Sequence, residues 1–140
     1  EKPEHSPHYQ YDLHDPDDPK SHRRSIYRFI VRSQMQPFMT FLDCADPSIQ
    51  VARRNESVSS LQALTLLNNG FMVTMARHFA AKLEAIGGGL EQQVERAFKE
   101  ALGRPASVQE RDALAAYARQ HGLANACRVL FNLNEFLFVD

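Results

Sequence analysis

The stretch SVSSLQALTLLNNGFMVTMARHFAAKLEAI, residues 57–86, decides the fold, because it carries the longest helical periodicity in the chain. Apolar residues recur along it at steps of three and four, which places them on one side of a helix. The predicted buried stripe consists of Leu61, Leu64, Leu67, Phe71, Met75, Phe79, Leu83 and Ile86, widened by Leu66, Met72, Ala76 and Ala80. We expect the other segments to pack against this stripe.

Polar residues and glycines divide this stretch into two predicted helices. A serine such as Ser59 or Ser60 can accept a hydrogen bond from a free amide of the first turn, so the first helix begins there. The run Asn68–Asn69–Gly70 favours a break, because Asn and Gly tolerate positive φ. The prediction is therefore a helix over 60–68 and a longer helix over 71–86 that ends at the glycines 87–89.

The segments after residue 89 are also amphipathic. Gly103 closes a predicted helix over 90–102, and Ser107-x-x-Glu110 is a capping box that predicts the next helix from Val108 to a stop at Gly122. The predicted buried residues of that helix are Val108, Leu114, Tyr117 and Ala118; a last helix contains Leu123, Ala126, Cys127, Leu130 and Phe131, and an apolar tail contains Leu133, Phe136, Leu137 and Phe138. A tail this apolar must dock on this domain or on a neighbour.

The first 22 residues differ in composition, with four prolines, several acids and few aliphatic residues, which predicts an extended arm or linker. Residues 23–140 are the predicted helical domain. Within it, the segment 24–32 segregates its arginines as a helix would, although its β-branched residues leave a strand open as the alternative. Pro37 suits the first turn of a short helix, which we expect Asp46–Pro47 to end.

These patterns predict an all-α fold, a compact domain of about five to seven helices with an irregular N-terminal arm. The length of 140 residues favours one domain. A net charge of −1 gives no support to nucleic-acid binding, and no run approaches the roughly 20 apolar residues of a membrane span. The chain begins at Glu1, so we expect it to be a piece of something longer.

The sequence holds few residues arranged for chemistry. It contains no nucleophile elbow, P-loop, dinucleotide-binding glycine motif or HExxH, so we expect no catalysis from this fragment alone. His5, His8 and His14 in the arm are candidate metal ligands, but no specific metal is predicted. Cys44 and Cys127 form no CxxC motif, and two buried free thiols or a disulfide are the alternatives.

Five phrases together carry a family resemblance: RRSIYRFIVRS (23–33), PFMTFLDCADPS (37–48), RRNESVSSLQALTLLNN (53–69), ALGRPAS (101–107) and LFNLNEFLFVD (130–140). In this order they resemble the planctomycete-type domain of unknown function 1553, the PSD family, found at the C-terminal end of large secreted proteins. In those proteins a cytochrome-c-like module and a second uncharacterised domain usually lie upstream.

The resemblance implies export to the periplasm or cell surface, upstream domains of the same polypeptide as partners, among them a c-type cytochrome module, and no established enzymatic activity. The haem motif belongs to that neighbour, so no cofactor is expected in this chain. The recurring polar positions of the family fall on Arg23, Arg24, Asp43, Arg54, Gln62, Asn68, Asn134 and Glu135.

These polar residues define a candidate cluster for a ligand or for structure, made of Arg24, Asp43, Arg54, Gln62, Asn68, Asn134 and Glu135. Within it we expect Glu135 to meet Arg24 or Arg54, and Asp43 to meet one of the nearby arginines. The first functional hypothesis is a non-catalytic packing or interaction module. The alternative is part of a composite extracellular enzyme or ligand-binding unit acting on polysaccharide or a related substrate, with Arg54, Asp43 and Glu135 lining a cleft.

Overall fold

Seven α-helices account for most of the chain that the structure describes. This computed structural model describes residues 10–27, 31, 35–44, 50 and 59–137, and within those ranges it contains no strand. The helices are α1 (Pro37–Phe41), α2 (Ser60–Asn68), α3 (Gly70–Ile86), α4 (Leu90–Leu102), α5 (Val108–His121), α6 (Leu123–Phe131) and α7 (Asn134–Leu137). The prediction of an all-α fold with about five to seven helices is confirmed.

The chain divides into two compact units, Glu1–Thr65 and Leu66–Asp140. The first unit contains α1 and three single turns of 3₁₀ helix, at Tyr11–Leu13, Pro19–Ser21 and Ser25–Tyr27. The second unit contains α3 to α7, and α2 runs across the division. Of the segment 24–32, left open between helix and strand, only Arg24, the turn at Ser25–Tyr27 and Val31 belong to the described residues.

The N-terminal arm is held to its own unit by a tyrosine. The backbone N–H of Val31 donates to the hydroxyl of Tyr11 at 3.2 Å. Asp15 and Asp18 each accept a backbone N–H two residues ahead, at 2.9 and 3.0 Å, which stabilises the turns between them. Leu13, in contrast, keeps 79% of its surface exposed, so it does not anchor the arm within the described residues.

Helix α1 begins as predicted but ends early. Pro37 occupies its first turn, and the side chain of Gln36 accepts the N–H of Met39 at 2.6 Å as the N-cap. The predicted end at Asp46–Pro47 is wrong, because the helix stops at Phe41. Asp43 has φ = 56°, a left-handed conformation that an α-helix cannot contain, so the chain turns away before it reaches the proline.

The break between α2 and α3 lies where the double asparagine predicted it, by a different mechanism. Asn69 has φ = −64° and ψ = 133°, and its side chain accepts the N–H of Phe71 at 3.0 Å. Asn69 is therefore an N-cap in extended conformation, and no positive φ is used. The start of α2 is also confirmed. The backbone N–H of Ser59 donates to the side-chain oxygen of Gln62 at 3.0 Å, and the backbone N–H of Gln62 donates to the hydroxyl of Ser59 at 3.2 Å.

Within the second unit, α4 and α6 are the helices that the others share. Each of them packs on the other and on α3, α5 and α7, whereas α3 packs on α4 and α6. Five of the nine residues of α6 are buried: Leu123, Ala126, Cys127, Leu130 and Phe131. The expectation that the stretch 57–86 forms the central face is therefore only half right for this unit, because α4 and α6 each pack on more helices than α3 does.

The four buried apolar residues of α3 all belong to the predicted stripe or to its widening, but several large side chains of the stripe are not buried. These four residues are Met72, Ala76, Ala80 and Leu83, and Ala76 and Leu83 are completely inaccessible. Phe71, Met75 and Phe79 are only half-buried. The small alanines let a neighbouring helix approach closely, so they occupy the centre of the interface and the larger side chains flank it. Leu61, Leu64 and Ile86 are exposed by 50–60%.

The predicted buried side of α5 needs a similar correction. Ala115 and Ala118 are buried, Leu114 is half-buried, and Val108 and Tyr117 are exposed by 65% and 38%. Tyr117 lies two residues from Ala115, which turns it about 200° around the helix and away from the core. Val108 lies in the first turn, at the end of the helix. The helix packs through small side chains, which a search for large apolar residues misses.

We predict that Ser107→Ala lowers the free energy of unfolding by about 1 kcal/mol. Ser107 and Glu110 form the predicted capping box. The backbone N–H of Glu110 donates to the hydroxyl of Ser107 at 3.2 Å, and the backbone N–H of Ser107 donates to the carboxylate of Glu110 at 2.8 Å. Alanine removes the side-chain acceptor and leaves an amide of the first turn unpaired. Urea unfolding followed by circular dichroism measures the loss, and Ser107→Thr, which keeps the hydroxyl, should retain most of the stability.

Candidate functional site

The densest polar cluster of the described chain is centred on Arg104, in the turn between α4 and α5. Gly103 has φ = 73°, which ends α4 and turns the chain so that Arg104 faces both α5 and α7. Its Nε and Nη2 donate to the two carboxylate oxygens of Glu135 at 2.6 and 2.7 Å. Its Nη1 and Nη2 donate to the two oxygens of Glu110 at 3.0 and 2.8 Å.

A fifth bond completes the hydrogen bonding of this arginine. Nη1 also donates to the carbonyl oxygen of Pro105 at 3.1 Å. A guanidinium has five N–H donors, and all five of Arg104 are now used on groups of the same chain. The ring centroid of Phe98 lies 5.5 Å from Cζ, within range of a cation–π contact. Arg104 therefore joins α4, the start of α5 and α7 into one clamp.

The clamp changes the acidity of both carboxyl groups. Hydrogen bonds from Arg104, followed by the backbone N–H and hydroxyl of Ser107, lower the pKa of Glu110 to about 2. Hydrogen bonding to Arg104 also lowers the pKa of Glu135, and the two carboxylates raise the pKa of Arg104 itself. Roughly a third or more of each of these side chains remains exposed, so water screens the interaction.

A second polar network caps two helix ends inside the same unit. Arg128 on α6 donates from Nε and Nη2 to the carbonyl of Leu67, at 3.2 and 2.6 Å. That carbonyl is one of the last four of α2, which have no partner within the helix. Arg128 also donates to Asn125 at 2.8 Å, and Asn125 donates to the carbonyl of His121, in the last turn of α5, at 2.7 Å. This network is structural, since it satisfies terminal carbonyls.

Two of the predicted polar residues meet in the first unit. The Nε2 of Gln62 donates to Oδ2 of Asp43 at 3.0 Å, and Gln62 is 92% buried. Gln62 also holds the first turn of α2 through Ser59. Asp43 thus links the end of α1 to the start of α2, at the residue whose backbone is left-handed.

The remaining predicted residues are spread over both units. Arg24 is exposed just before the last 3₁₀ turn of the first unit. Asn68 is exposed at the end of α2, and Asn134 is exposed at the start of α7. Arg54, His5 and His8 lie outside the described residues, and His14 is exposed. The part of the chain that the structure describes contains no group of three or more His, Cys, Asp or Glu side chains arranged to hold a metal ion.

The two cysteines differ in environment. Both are free thiols; Cys44 is half-buried and Cys127 is buried. Burial, with a smaller contribution from the charge of Glu84, raises the pKa of Cys127 to about 12. A thiol with that pKa is protonated at neutral pH and is a poor nucleophile, so Cys127 serves as a core residue of α6.

Comparison with models of protein families identifies the family of this chain. The profile of PSD1, described as a protein of unknown function (DUF1553), matches residues 1–118. The chain belongs to this family. No curated protein and no solved structure matches the chain. The resemblance to domain of unknown function 1553 is therefore confirmed.

The span that the DUF1553 profile matches contains some residues of the polar clusters but not all of them. It includes Asp43, Gln62, Arg104 and Glu110, and it ends within α5, before α6 and Glu135. Arg104 is the residue that the sequence analysis missed, although it lies inside the phrase ALGRPAS, which carries part of the resemblance. None of the helices described for this DUF1553 chain is both long and apolar enough to cross a bilayer.

We predict that Arg104→Gln lowers the urea midpoint at pH 7 and that the gap to the wild type closes as the pH falls from about 5 to 2. The depressed pKa of Glu110 makes its ionised form stabilising above its unfolded pKa, and this contribution is lost as the pH falls through the folded pKa. The test is a urea midpoint measured across that pH range. A control, Arg119→Gln, breaks only a surface pair with Glu91 and should give a smaller gap at pH 7. A gap for Arg104→Gln that persists unchanged at pH 2 would refute the carboxylate origin.

Proposed function

We propose that this chain is a non-catalytic packing module of a secreted, multidomain protein. The upstream domains of the same polypeptide, which include a cytochrome-c-like electron-transfer module, are its partners. Its place is the periplasm or the cell surface. Membership of the DUF1553 family and the resemblance to domains with these neighbours support the proposal.

The observation that carries the proposal is the distribution of exposed apolar side chains. Ten large hydrophobic residues of the described chain are exposed, and seven of them belong to the first unit: Leu13, Ile26, Tyr27, Met35, Phe41, Leu61 and Leu64. The second unit has more described residues and exposes only three. The concentration of exposed apolar side chains in one unit supports an interaction surface there.

Two of these residues give the surface a defined helical face. Leu61 and Leu64 lie three residues apart on α2 and are exposed by 60% and 55%. Residues at this spacing are neighbours on a helix surface. Burial of their exposed parts on a partner would contribute about 1.5–3 kcal/mol together, which is about ten- to 150-fold in Kd.

The state of the polar groups supports packing over catalysis. The composite-enzyme alternative needs Arg54, Asp43 and Glu135 to line a cleft. Glu135 uses both of its carboxylate oxygens on Arg104, and Asp43 accepts from the buried Gln62. Charged groups that are already bonded within the chain must break those bonds to bind a substrate, which weakens the alternative.

The test is binding between this chain and the segment encoded directly upstream, measured by isothermal titration calorimetry. We expect saturable binding, and a loss of at least tenfold in affinity for Leu61→Ser/Leu64→Ser. Val108→Ser is the matched control, because Val108 is 65% exposed but lies in the second unit, and it should leave the affinity unchanged. Equal affinity of the wild type and the Leu61/Leu64 variant, or no binding at all, would refute the proposal.

A further inference from the structure

Helix α7 is a short C-terminal segment held by two side chains. Glu135 is bound by the guanidinium of Arg104 through both oxygens. Phe136 stacks on Phe131 of α6, with ring centroids 4.9 Å apart and an interplanar angle of 28°. Phe131 in turn stacks on Phe79 of α3 at 5.5 Å. An acidic residue followed by an aromatic residue is thus the pair by which α7 docks.

The surface that receives this pair is built independently of α7. Three N–H groups of Arg104 are bonded to Glu110 and to the carbonyl of Pro105, and its plane lies near Phe98, which is 97% buried. Phe131 is fixed by its place in the core on α6. If α7 departs, the guanidinium therefore stays oriented, with two donors free and an aromatic ring uncovered beside it.

The connection to α7 favours such a departure. The helix has only four residues, fewer than a stable helix needs on its own. It follows α6 after only Asn132 and Leu133, and Asn132 has a buried side-chain oxygen that accepts no hydrogen bond, which is the one such atom among the described side chains. An unpaired buried acceptor costs free energy in the docked state, and the cost is relieved when the hinge opens to water.

We propose that Arg104, Phe98 and Phe131 form a binding site for a peptide segment of another chain that carries a carboxylate followed by an aromatic ring. Glu135 and Phe136 occupy this site in the free protein. The site opens when α7 detaches at Asn132. The docking of α7 is then an autoinhibitory contact, and a partner with the same two groups replaces it.

Peptide binding tests the site directly. The full chain with Glu135→Gln/Phe136→Ala has the site empty, and the probe is a fluorescein-labelled peptide LNEFL, the sequence of residues 133–137. The tail in the wild type competes at an effective concentration of about millimolar or more. We expect the double variant to bind the peptide at least tenfold more tightly than the wild type, and Arg104→Gln added to the double variant to remove this gain.

A peptide LNQFL, which lacks the carboxylate, is the control probe and should bind no variant tightly. Equal anisotropy changes for the wild type and the double variant, or binding that survives Arg104→Gln, would overturn the assignment of the site. Circular dichroism establishes that each variant is folded.

Amide exchange in the wild type tests the detachment without a partner. The N–H of Phe136 is bonded to the carbonyl of Leu133 at 3.0 Å, so it exchanges only when α7 opens. We expect it to exchange at least about 100-fold faster than the amide of Cys127 on α6. Exchange of both amides at one rate would show that α7 opens only when the whole unit unfolds, which contradicts the proposal.

Discussion

Replacement of Leu83 by alanine is expected to lower the free energy of unfolding by about 3–4 kcal/mol. Leu83 on α3 is completely buried where the helix packs on α4 and α6. The truncation removes apolar atoms from the core and leaves a cavity that the surrounding helices fill only in part. A unit of roughly 75 residues has a stability of ~4–11 kcal/mol, so the loss is a large share of it. Urea unfolding followed by circular dichroism gives the measurement.

Ile86→Ala on the same helix is the matched control. The predicted apolar stripe contains both Leu83 and Ile86, yet Ile86 is 50% exposed in the structure. Its truncation removes few core contacts, and alanine has the better helix propensity, so we expect a loss below about 1 kcal/mol. Equal losses at the two positions would mean that Ile86 is buried as deeply as Leu83, which contradicts the structure.

Phe98→Ala is expected to lower the free energy of unfolding by about 3–5 kcal/mol. Phe98 on α4 is 97% buried, and its ring also lies under the guanidinium of Arg104. The substitution therefore removes a large core side chain and one support of the clamp. Thermal and urea unfolding measure the loss, and proton NMR shows whether the remaining core stays ordered.

The control for the ring is Phe98→Leu. Leucine keeps most of the buried volume but has no aromatic face, so we expect a loss of only about 1–1.5 kcal/mol. The clamp at Arg104 should be affected equally by the two variants, because both of them lack the aromatic ring that makes the cation–π contact. If Phe98→Leu destabilises the chain as much as Phe98→Ala, then the ring geometry, and not the buried volume, dominates at this position.

The helix boundaries were largely predictable, because they depend on local chemistry. The capping serines at Ser59 and Ser107 and the glycines Gly87, Gly103 and Gly122 act through backbone groups within a few residues. Such signals are visible in sequence. The exception is the end of α1. There Asp43 adopts a left-handed conformation, which few aspartates adopt and which the sequence therefore does not predict.

The buried faces were less predictable. One helical wheel drawn over 57–86 assumes a single axis, and the cap at Asn69 gives α2 and α3 separate axes. Alanines also count little in an apolar pattern, yet Ala115 on α5 is completely buried, although it was not among the predicted buried residues of that helix. The importance of the nine-residue α6 could not be predicted, because it depends on which helices surround it.

The polar clusters show the same limit. The capping glutamate Glu110 was visible from its spacing to Ser107, but its second partner, Arg104, depends on the turn geometry. Arg104 and Glu135 are separated by 31 residues, and no short-range pattern links them. The pairing of Gln62 with Asp43 joins two residues that the family resemblance singled out, although the resemblance did not indicate that they bond.

The central claim is that α6 is a buried core helix of the second unit, shared with α4 by the other helices, and its own thiol tests this most directly. Cys44→Ser leaves Cys127 as the single thiol, which is 99% buried on α6. We predict that a thiol reagent labels Cys127 at least about 1,000-fold more slowly in the native protein than in urea, at a rate that follows global unfolding. Native labelling within tenfold of the unfolded rate would contradict the claim.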